Sequence, residues 1–384
     1  MKRTLRMIIA LAMVAMMGFG LVACTTGTTD TPPATDTPAT DTPATDTPAP
    51  PATGTGKVGV SMPTQDLQRW NQDGENMKQQ LEAAGFEVIL QFAGNDVATQ
   101  VSQIENMIAQ SVDVLVIAAI DGESLGTPLA EAQQAGIHVI AYDRLIMGTD
   151  AVSFYATFDN FNVGVKQGEF IRDMLDLENS PGPYNIEIFT GDPGDNNARF
   201  FYDGAMSIIQ PFIDSGVLNV PSNQISFMEV ATADWSTANA QSRMENILSS
   251  FYAGGTILHA VLCSNDSTAL GVVTAIQQNY AGDNIPWVTG QDCDIANMKN
   301  MFAGLQQMNI FKDTRMLAAQ VVVMITDILA GNTPETNDNE TYDNGVKVVP
   351  TYLIPPVLVT IDNAVQILVD SGYYTAEEIG APAN

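Results

Sequence analysis

Residues 57–91, KVGVSMPTQDLQRWNQDGENMKQQLEAAGFEVILQ, contain the pattern that decides the fold. Residues 57–61 (KVGVS) are typical of a buried strand, and the apolar residues that follow have the spacing of one helix face. These residues are Trp70, Met77, Leu81 and Ala84. Gly85 is a helix stop, and residues 86–91 begin a second strand. A strand, a helix and a strand in this order indicate a parallel sheet with helices on its faces.

The same alternation continues to residue 358, which predicts an α/β fold made of two doubly wound parallel-sheet lobes joined by a multi-strand hinge. Further strands are predicted at 112–120, 137–142, 184–190, 226–230, 257–263, 287–289, 305–311 and 346–358. Helices are predicted at 97–108, 125–135, 162–175, 198–213, 236–251, 267–279 and 314–330. We assign residues 57–158 and 293–345 to the first lobe, and residues 159–292 and 346–384 to the second.

The N-terminus has the architecture of a secretory signal peptide, predicted over residues 1–24. Lys2, Arg3 and Arg6 precede an apolar run, and the run ends in Leu-Val-Ala-Cys at residues 21–24. This ending resembles the lipobox of bacterial lipoproteins, which implies cleavage before Cys24 and lipid attachment to it. A plain transmembrane anchor is the alternative, but the run is shorter than the roughly 20 residues that a spanning helix needs.

Residues 25–56 are predicted to form a disordered, Pro-stiffened linker. Pro-Ala-Thr-Asp-Thr occurs three times in tandem over residues 33–47, and the stretch has almost nothing apolar to bury. The folded part of the protein would therefore stand clear of the membrane to which Cys24 is attached.

The chain is strongly acidic, with a formal net charge of −29 that removal of the three signal cations would lower to −32. This charge disfavours a nucleic-acid partner. A cation-binding role is one interpretation of the acidity, and a solvated, self-repelling surface is the more common one. No Cys/His pattern has the spacing of a metal site, so we predict no metal and no cofactor. Whether Cys263 and Cys293 form a disulfide stays open.

Polar and aromatic residues follow the predicted strands, where ligands bind in open α/β sheets. These clusters are Arg69-Trp70, Asp143-Arg144, Asp195-Asn196-Asn197, Asp234-Trp235, Asn265-Asp266, Gln291-Asp292 and Lys312. We predict that they converge from both lobes on one cleft. Carboxylates, amides and guanidinium groups bind adjacent hydroxyls, and the rings of Trp70 and Trp235 suit the C–H faces of a sugar.

Several stretches of residues 58–374 carry a family resemblance. They are Gly59–Pro63 with Arg69-Trp70, Gln103–Met107, Val139–Arg144, Phe158–Asn160, Asp195–Ala198, Ser264–Asp266, Gly290–Asp292 and Phe311-Lys312. The chain thereby resembles the periplasmic sugar-binding proteins of ABC transporters, in the branch that binds xylose or several monosaccharides. The resemblance implies the type I periplasmic binding protein fold.

The resemblance also implies which residues contact a sugar. The implied set is Arg69, Trp70, Asp143 and Arg144 from the first lobe, Asn196, Asn197, Trp235, Asn265 and Asp292 from the second, and Lys312 near a crossover. Asp195 and Asp266 would be either ligands or residues that orient their neighbours. Cys293 departs from the small residue expected beside Asp292 and could alter the wall of the pocket.

We predict a lipid-anchored, extracytoplasmic and monomeric receptor that captures a monosaccharide such as xylose, glucose or galactose and delivers it to an ABC permease. The alternative is a sensor that presents bound sugar to a membrane sensor kinase or chemoreceptor, and neighbouring genes would distinguish the two. An enzyme is not predicted. Asp143 and Asp292 could be imagined as a glycosidase pair, but their cationic neighbours would lower the pKa that a general acid needs raised.

Overall fold

The computed structural model describes residues 55–382. The predicted signal peptide, the lipid site at Cys24 and nearly all of the predicted linker lie outside the described residues. Among residues 55–382, no helix is both long enough and apolar enough to cross a membrane.

The described part of the chain contains twelve strands, which form three groups. In chain order they are β1 (Lys57–Met62), β2 (Glu87–Phe92), β3 (Val114–Ile117), β4 (His138–Tyr142), β5 (Val152–Phe158), β6 (Tyr184–Phe189), β7 (Leu218–Asn219), β8 (Ala260–Cys263), β9 (Trp287–Val288), β10 (Asn309–Phe311), β11 (Thr351–Ile354) and β12 (Val357–Val359). The first sheet has the order β11-β5-β4-β3-β1-β2, the second has the order β7-β6-β8-β9, and β10 pairs with β12. Both large sheets are parallel throughout, and the β10–β12 pair is antiparallel.

Helices connect these strands. The α-helices are α1 (Gln68–Ala83), α2 (Val97–Ala109), α3 (Gly126–Gln134), α4 (Asn160–Met174), α5 (Asn196–Asp214), α6 (Phe227–Val230), α7 (Thr237–Ile247), α8 (Asp266–Asn279), α9 (Ile295–Phe302), α10 (Thr314–Leu329) and α11 (Ala376–Ile379). Shorter or wider helical turns occupy Ala233–Trp235, Leu248–Tyr252 and Val365–Asp370.

The first lobe is built on the six-stranded sheet, whose central strands are buried on both faces. In β3, Val114 and Val116 pack with residues of α1 and α10, whereas Leu115 and Ile117 pack with residues of α2 and α3. Helices therefore cover both faces of this sheet, as a parallel sheet requires.

The second lobe is built on the four-stranded sheet, which β10 extends through backbone hydrogen bonds. Ile310 N donates to Gly290 O over 3.1 Å, and Asp292 N donates to Ile310 O over 2.8 Å. One face of the sheet packs against α4 and α5, and the other packs against α7 and α8. Two parallel sheets with helices on their faces confirm the predicted α/β fold.

The chain crosses between the lobes at three places, after β5, after β10 and after β11. The second and third crossings differ from the prediction, which placed residues 293–345 in the first lobe and 346–384 in the second. Here β10 extends the second sheet, and β11 pairs with β5 in the first. The predicted strand at 346–358 is two strands because Pro355 and Pro356 interrupt it.

The strand predicted at 226–230 is wrong, because residues Phe227–Val230 form helix α6. Ser226 and Glu229 form a capping box at its start, which satisfies the first backbone N–H groups of a helix. Strand β5 and helix α9 lie where the sequence analysis proposed no element.

Candidate functional site

One cleft lies where the carboxyl ends of strands from both sheets meet, and its side chains leave a cavity of about 30 Å³. Its lining residues come from both lobes and from the crossing after β10. They are Leu67, Arg69, Trp70, Asp143, Arg144, Asp195, Asn197, Phe201, Trp235, Asn265, Ser267, Gln291, Asp292, Asp294 and Lys312. Nine of the ten residues that the sequence analysis selected belong to this set, and Asn196 does not.

Helix α1 places Arg69 and Trp70 at the cleft in its first turn. The centroid of the Trp70 ring lies 5.0 Å from the guanidinium carbon of Arg69 and 4.9 Å from that of Arg144. The indole is only 3% exposed and also packs in the core of the first lobe. Trp70 therefore holds two guanidinium groups by cation–π contacts while it lines the cleft.

A buried ionic network joins the two lobes through Arg69. Its Nε donates to Asp73 over 2.9 Å, its Nη1 donates to Asp292 over 3.2 Å, and its Nη2 donates to Asp143. Lys312 Nζ lies 3.1 Å from Asp292 Oδ1 and 4.0 Å from Asp143 Oδ2. Every carboxylate of this network thus has a cation beside it, as buried charges require.

The environment lowers the pKa of Asp143 and raises the pKa of Asp73. Burial by itself raises the pKa of Asp143, but the charges of Arg69 and Lys312 outweigh burial and bring it below the ordinary value. For Asp73, burial is the larger effect and leaves its pKa raised in spite of Arg69. Asp143 is therefore an ionised hydrogen-bond acceptor at neutral pH.

The backbone carbonyl of Asp143, like its side chain, is held by several hydrogen bonds. This residue has a positive φ of 59°, directly after β4, and its carbonyl oxygen accepts three hydrogen bonds. The donors are Tyr155 Oη at 2.5 Å, Thr157 Oγ1 at 2.9 Å and Asn197 Nδ2 at 2.7 Å. Because Asn197 belongs to the second lobe, this carbonyl is also a contact between the lobes.

Trp235 lines the second-lobe side of the cleft and is 4% exposed. Its Nε1 donates to Asp195 Oδ2 over 3.2 Å. Arg144 Nε lies 2.9 Å from the same oxygen, although its N–H does not point at it. Burial raises the pKa of Asp195, and Arg144 opposes this increase. Asp195 thus lines the cleft and accepts a hydrogen bond that orients Trp235.

Asn265 and Ser267 hold the backbone beside Trp235. Asn265 Oδ1 accepts from Thr268 N at 3.1 Å at the start of α8, and its Nδ2 donates to Ser267 Oγ over 2.8 Å. Ser267 Oγ donates to the carbonyl of Trp235 over 2.7 Å. Asn265 therefore caps helix α8 and, through Ser267, is hydrogen-bonded to the backbone carbonyl of Trp235.

Asn196 and Asp266 take positions outside the cleft lining. Asn196 is the first residue of α5 and is not among the lining residues, whereas Asn197, which is rotated about 100° from it around the helix axis, is. Asp266 is fully buried and accepts from Asn309 Nδ2 at 2.8 Å and from Gln306 Nε2 at 3.2 Å. Asp266 accordingly has the geometry of an orienting residue.

Four lining residues lie outside the strand-end clusters of the sequence analysis, namely Leu67, Phe201, Ser267 and Asp294. Ser267 and Asp294 follow Asn265 and Asp292 by two residues, so wider strand-end windows would have included them. Leu67 and Phe201 have no polar signal that separates them from core residues. Gln291 appeared in a strand-end cluster but was not selected as a ligand contact.

The two cysteines of the described region are buried free thiols. Cys293 packs in an apolar cluster with Met298 and Phe311 and is not among the lining residues. Among residues 55–382, no group of His, Cys, Asp and Glu side chains is arranged to hold a metal ion.

The cleft thus presents paired cations and carboxylates, amides and two indole rings around a small volume. Three cations (Arg69, Arg144 and Lys312) lie among four carboxyl groups. Such an arrangement suits a small ligand that both donates and accepts hydrogen bonds and has an apolar face.

Comparison with known proteins agrees with this geometry. Residues 58–333 match the model of the family described as periplasmic binding protein domain. The chain is 48% identical to the multiple sugar-binding periplasmic receptor of Rhizobium radiobacter, over 85% of this chain and 93% of the receptor. It is 34% identical to the D-xylose-binding periplasmic protein of Escherichia coli K12, over 84% of this chain and 92% of that protein.

A solved structure shows that the fold, as well as the sequence, is similar to that of a known protein. The ABC transporter solute-binding protein from Clostridium phytofermentans, with bound β-D-glucose, superposes with a TM-score of 0.83 and is 61% identical. The match covers 84% of this chain and 99% of that one. The relatives are solute-binding proteins rather than enzymes. The chain belongs to the periplasmic binding protein family and has the type I fold of that family.

Proposed function

We propose that this protein captures a monosaccharide of the glucose or xylose type in the cleft between its lobes and delivers it to an ABC permease. The observation that carries the proposal is the meeting of paired charges and two indole rings, from both lobes, around one small cleft. The glucose-bound relative at 61% identity and the multiple sugar-binding receptor at 48% identity support this class of ligand.

In this proposal each lobe contributes both polar contacts and an aromatic face. Arg69, Asp143 and Arg144 bind hydroxyls from the first lobe, and Trp70 covers part of the sugar ring. The second-lobe contacts are Asn197, Asn265 and Asp292, with Trp235 against the ring, and Lys312 adds a cationic donor. A sugar that lacks one bound hydroxyl binds more weakly, because a buried partner loses its hydrogen bond.

Ligand binding favours the closed form, because only that form has contacts to the sugar from both lobes. The three crossings between the lobes form the hinge. The permease would recognise the closed pair of lobes and accept the sugar as the cleft opens. We retain a monomer as the proposed state.

We further propose that the protein works outside the cytoplasmic membrane, attached through lipid on Cys24. The receptor of Rhizobium radiobacter and the D-xylose-binding protein of Escherichia coli are periplasmic proteins, and the signal architecture of residues 1–24 supports export. Mass spectrometry of the protein purified from its own host would find an N-terminal lipid-modified Cys24. An unmodified N-terminus at another residue would contradict the anchor.

Isothermal titration calorimetry with D-glucose, D-xylose, D-galactose and D-ribose tests the ligand class. We expect a 1:1 complex with one or more of these sugars and a Kd of about 1 µM, which corresponds to about 8 kcal/mol. Asn265→Ala removes a proposed contact and should raise the Kd about tenfold or more. Absence of heat with all four sugars would refute a receptor for this class of ligand.

A further inference from the structure

We infer that two buried glutamines, Gln100 in the first lobe and Gln167 in the second, are positioning residues that hold the strand ends from which the ligand contacts project. Neither side chain lines the cleft, and both are fully buried. The inference rests on the proposed function for its effect on affinity, but the geometry itself is independent of any ligand.

Gln167 lies on α4 and joins the ends of β8 and β9. Its Nε2 lies 3.3 Å from Cys263 O, 3.1 Å from Ser264 O and 3.1 Å from Gly290 O. An amide has two N–H donors, so three acceptors require one shared hydrogen.

The bonds of Gln167 come where the regular ladder between β8 and β9 ends. The final ladder bond runs from Thr289 N to Val261 O over 3.2 Å. Beyond it the two strands lead to Asn265 on one side and to Asp292 on the other, both of which line the cleft. Gln167 thus joins the two segments that carry second-lobe contacts, together with the bonds from Asp266 N to Gln291 O (2.9 Å) and from Gln291 Nε2 to Ser264 O (3.1 Å).

Gln100 lies on α2 and has the corresponding place at the ends of β1 and β3. Its Nε2 donates to Ser61 Oγ over 3.1 Å and to Ala118 O over 3.0 Å, and its Oε1 accepts from Ile120 N at 2.9 Å. Arg144 Nη1 donates to Ala119 O over 3.0 Å, within the segment that Gln100 holds. Gln100 thus supports the backbone that orients a first-lobe arginine.

A long, neutral amide suits this role because it can reach from a helix and satisfy buried backbone groups without burying a charge. Contacts that are held in place before the ligand arrives have less entropy to lose on binding, so loss of the amide should appear as loss of affinity. A residue with only a general packing role would change stability and leave affinity unchanged.

The test measures the Kd for D-glucose and the unfolding temperature of Gln167→Met, which keeps the length of the side chain and removes its donors. We expect the Kd to increase about tenfold or more. Gln103→Met is the matched control: Gln103 is on the same helix as Gln100 and donates to Phe92 O over 3.0 Å, at the end of β2, which carries no lining residue. The control should lose some stability and keep the wild-type Kd. An unchanged Kd for Gln167→Met would overturn the inference.

Backbone hydrogen exchange of the sugar-free protein provides a readout that needs no ligand. In Gln167→Met we expect faster exchange at residues 264–267 and 290–294, and no change at residues 118–120. In Gln100→Met we expect faster exchange at residues 118–120 and no change at residues 264–267 and 290–294. This second variant tests the inference if Gln167→Met does not fold. Faster exchange throughout the protein, or unchanged exchange at the segments next to the replaced glutamine, would overturn the inference. If the wild type binds no sugar while the exchange pattern holds, the proposed function fails and the positioning role stands.

Discussion

At the scale of single residues, Gly191 decides where the indole of Trp235 can lie. A Cβ atom on Gly191 would come within 2.0 Å of the Trp235 ring, closer than any real contact of this kind. Gly191→Ala should therefore displace Trp235, weaken sugar binding about tenfold or more and lower the unfolding temperature. Titration calorimetry measures the affinity, the tryptophan emission spectrum reports the displacement of Trp235, and thermal unfolding gives the unfolding temperature.

Gly126→Ala is the control for this change, since a Cβ there meets nothing within 4 Å and the backbone is not in the left-handed region. It should leave affinity and emission unchanged and should not lower the unfolding temperature. Equal affinity of Gly191→Ala and wild type would show that Trp235 does not contact the ligand.

Asp294 predicts a pH dependence of stability. Its Oδ1 is buried without a hydrogen-bond partner, and burial and the charge of Asp292 raise its pKa to about 7, against the opposing charges of Arg69 and Lys312. Asp266, which accepts from Asp294 N at 2.8 Å, also has a raised pKa, chiefly through burial. A raised pKa stabilises the fold fully below the ordinary value near 4, and this contribution is lost as pH increases to about 7.

Asp294→Asn should consequently flatten the decline in stability between about pH 5 and pH 7.5 and make the variant more stable than wild type at the upper end. Urea unfolding at both pH values measures this difference. Parallel stability curves for the two proteins would contradict a raised pKa for Asp294.

The sequence placed residues at the cleft lining where a polar side chain follows an apolar strand within a few residues, as at Asp143 and Asp292. The sequence could not show which of Asn196 and Asn197 lines the cleft, because the rotation of helix α5 about its axis depends on how that helix packs. Buried supports such as Gln167 have no local signal, since their partners are distant backbone carbonyls.

At the scale of elements, the packing of α4 against α5 positions Asn197 in the cleft. A Cβ on Gly164 would lie 2.1 Å from Phe201 O, and one on Gly204 would lie 2.1 Å from Phe161 O. The helices can approach this closely only with glycine at both positions. Gly164→Ala should lower the free energy of unfolding by about 3 kcal/mol and weaken sugar binding by shifting α5.

Chemical denaturation and calorimetry test this expectation, with Gly254→Ala as the control because nothing lies within 4 Å of a Cβ there. If Gly164→Ala is as stable as the wild type, helices α4 and α5 do not approach each other as closely as the structure shows.

Sequence periodicity predicted the long helices α5, α8 and α10 to within two residues at each end, because each carries a continuous apolar face. It failed at residues 226–230, where a short apolar run fits a strand and a helix equally well. There the Ser226–Glu229 capping box was the deciding signal.

At the scale of the whole molecule, the sequence predicted two parallel-sheet lobes but not where the chain crosses between them. β10 and β11 are short apolar runs, and only their hydrogen-bond partners, Gly290 for Ile310 and β5 for β11, assign them to a lobe. Such long-range pairings leave no trace in local periodicity.

The central claim is that both lobes hold one monosaccharide in the cleft between them. A crystal structure of the protein grown with D-glucose tests it most directly. We expect the sugar between Trp70 and Trp235, with hydroxyls bonded to Arg69 and Asp143 of the first lobe and to Asn265 and Asp292 of the second. Glucose bound elsewhere, or contacts from only one lobe, would contradict the account.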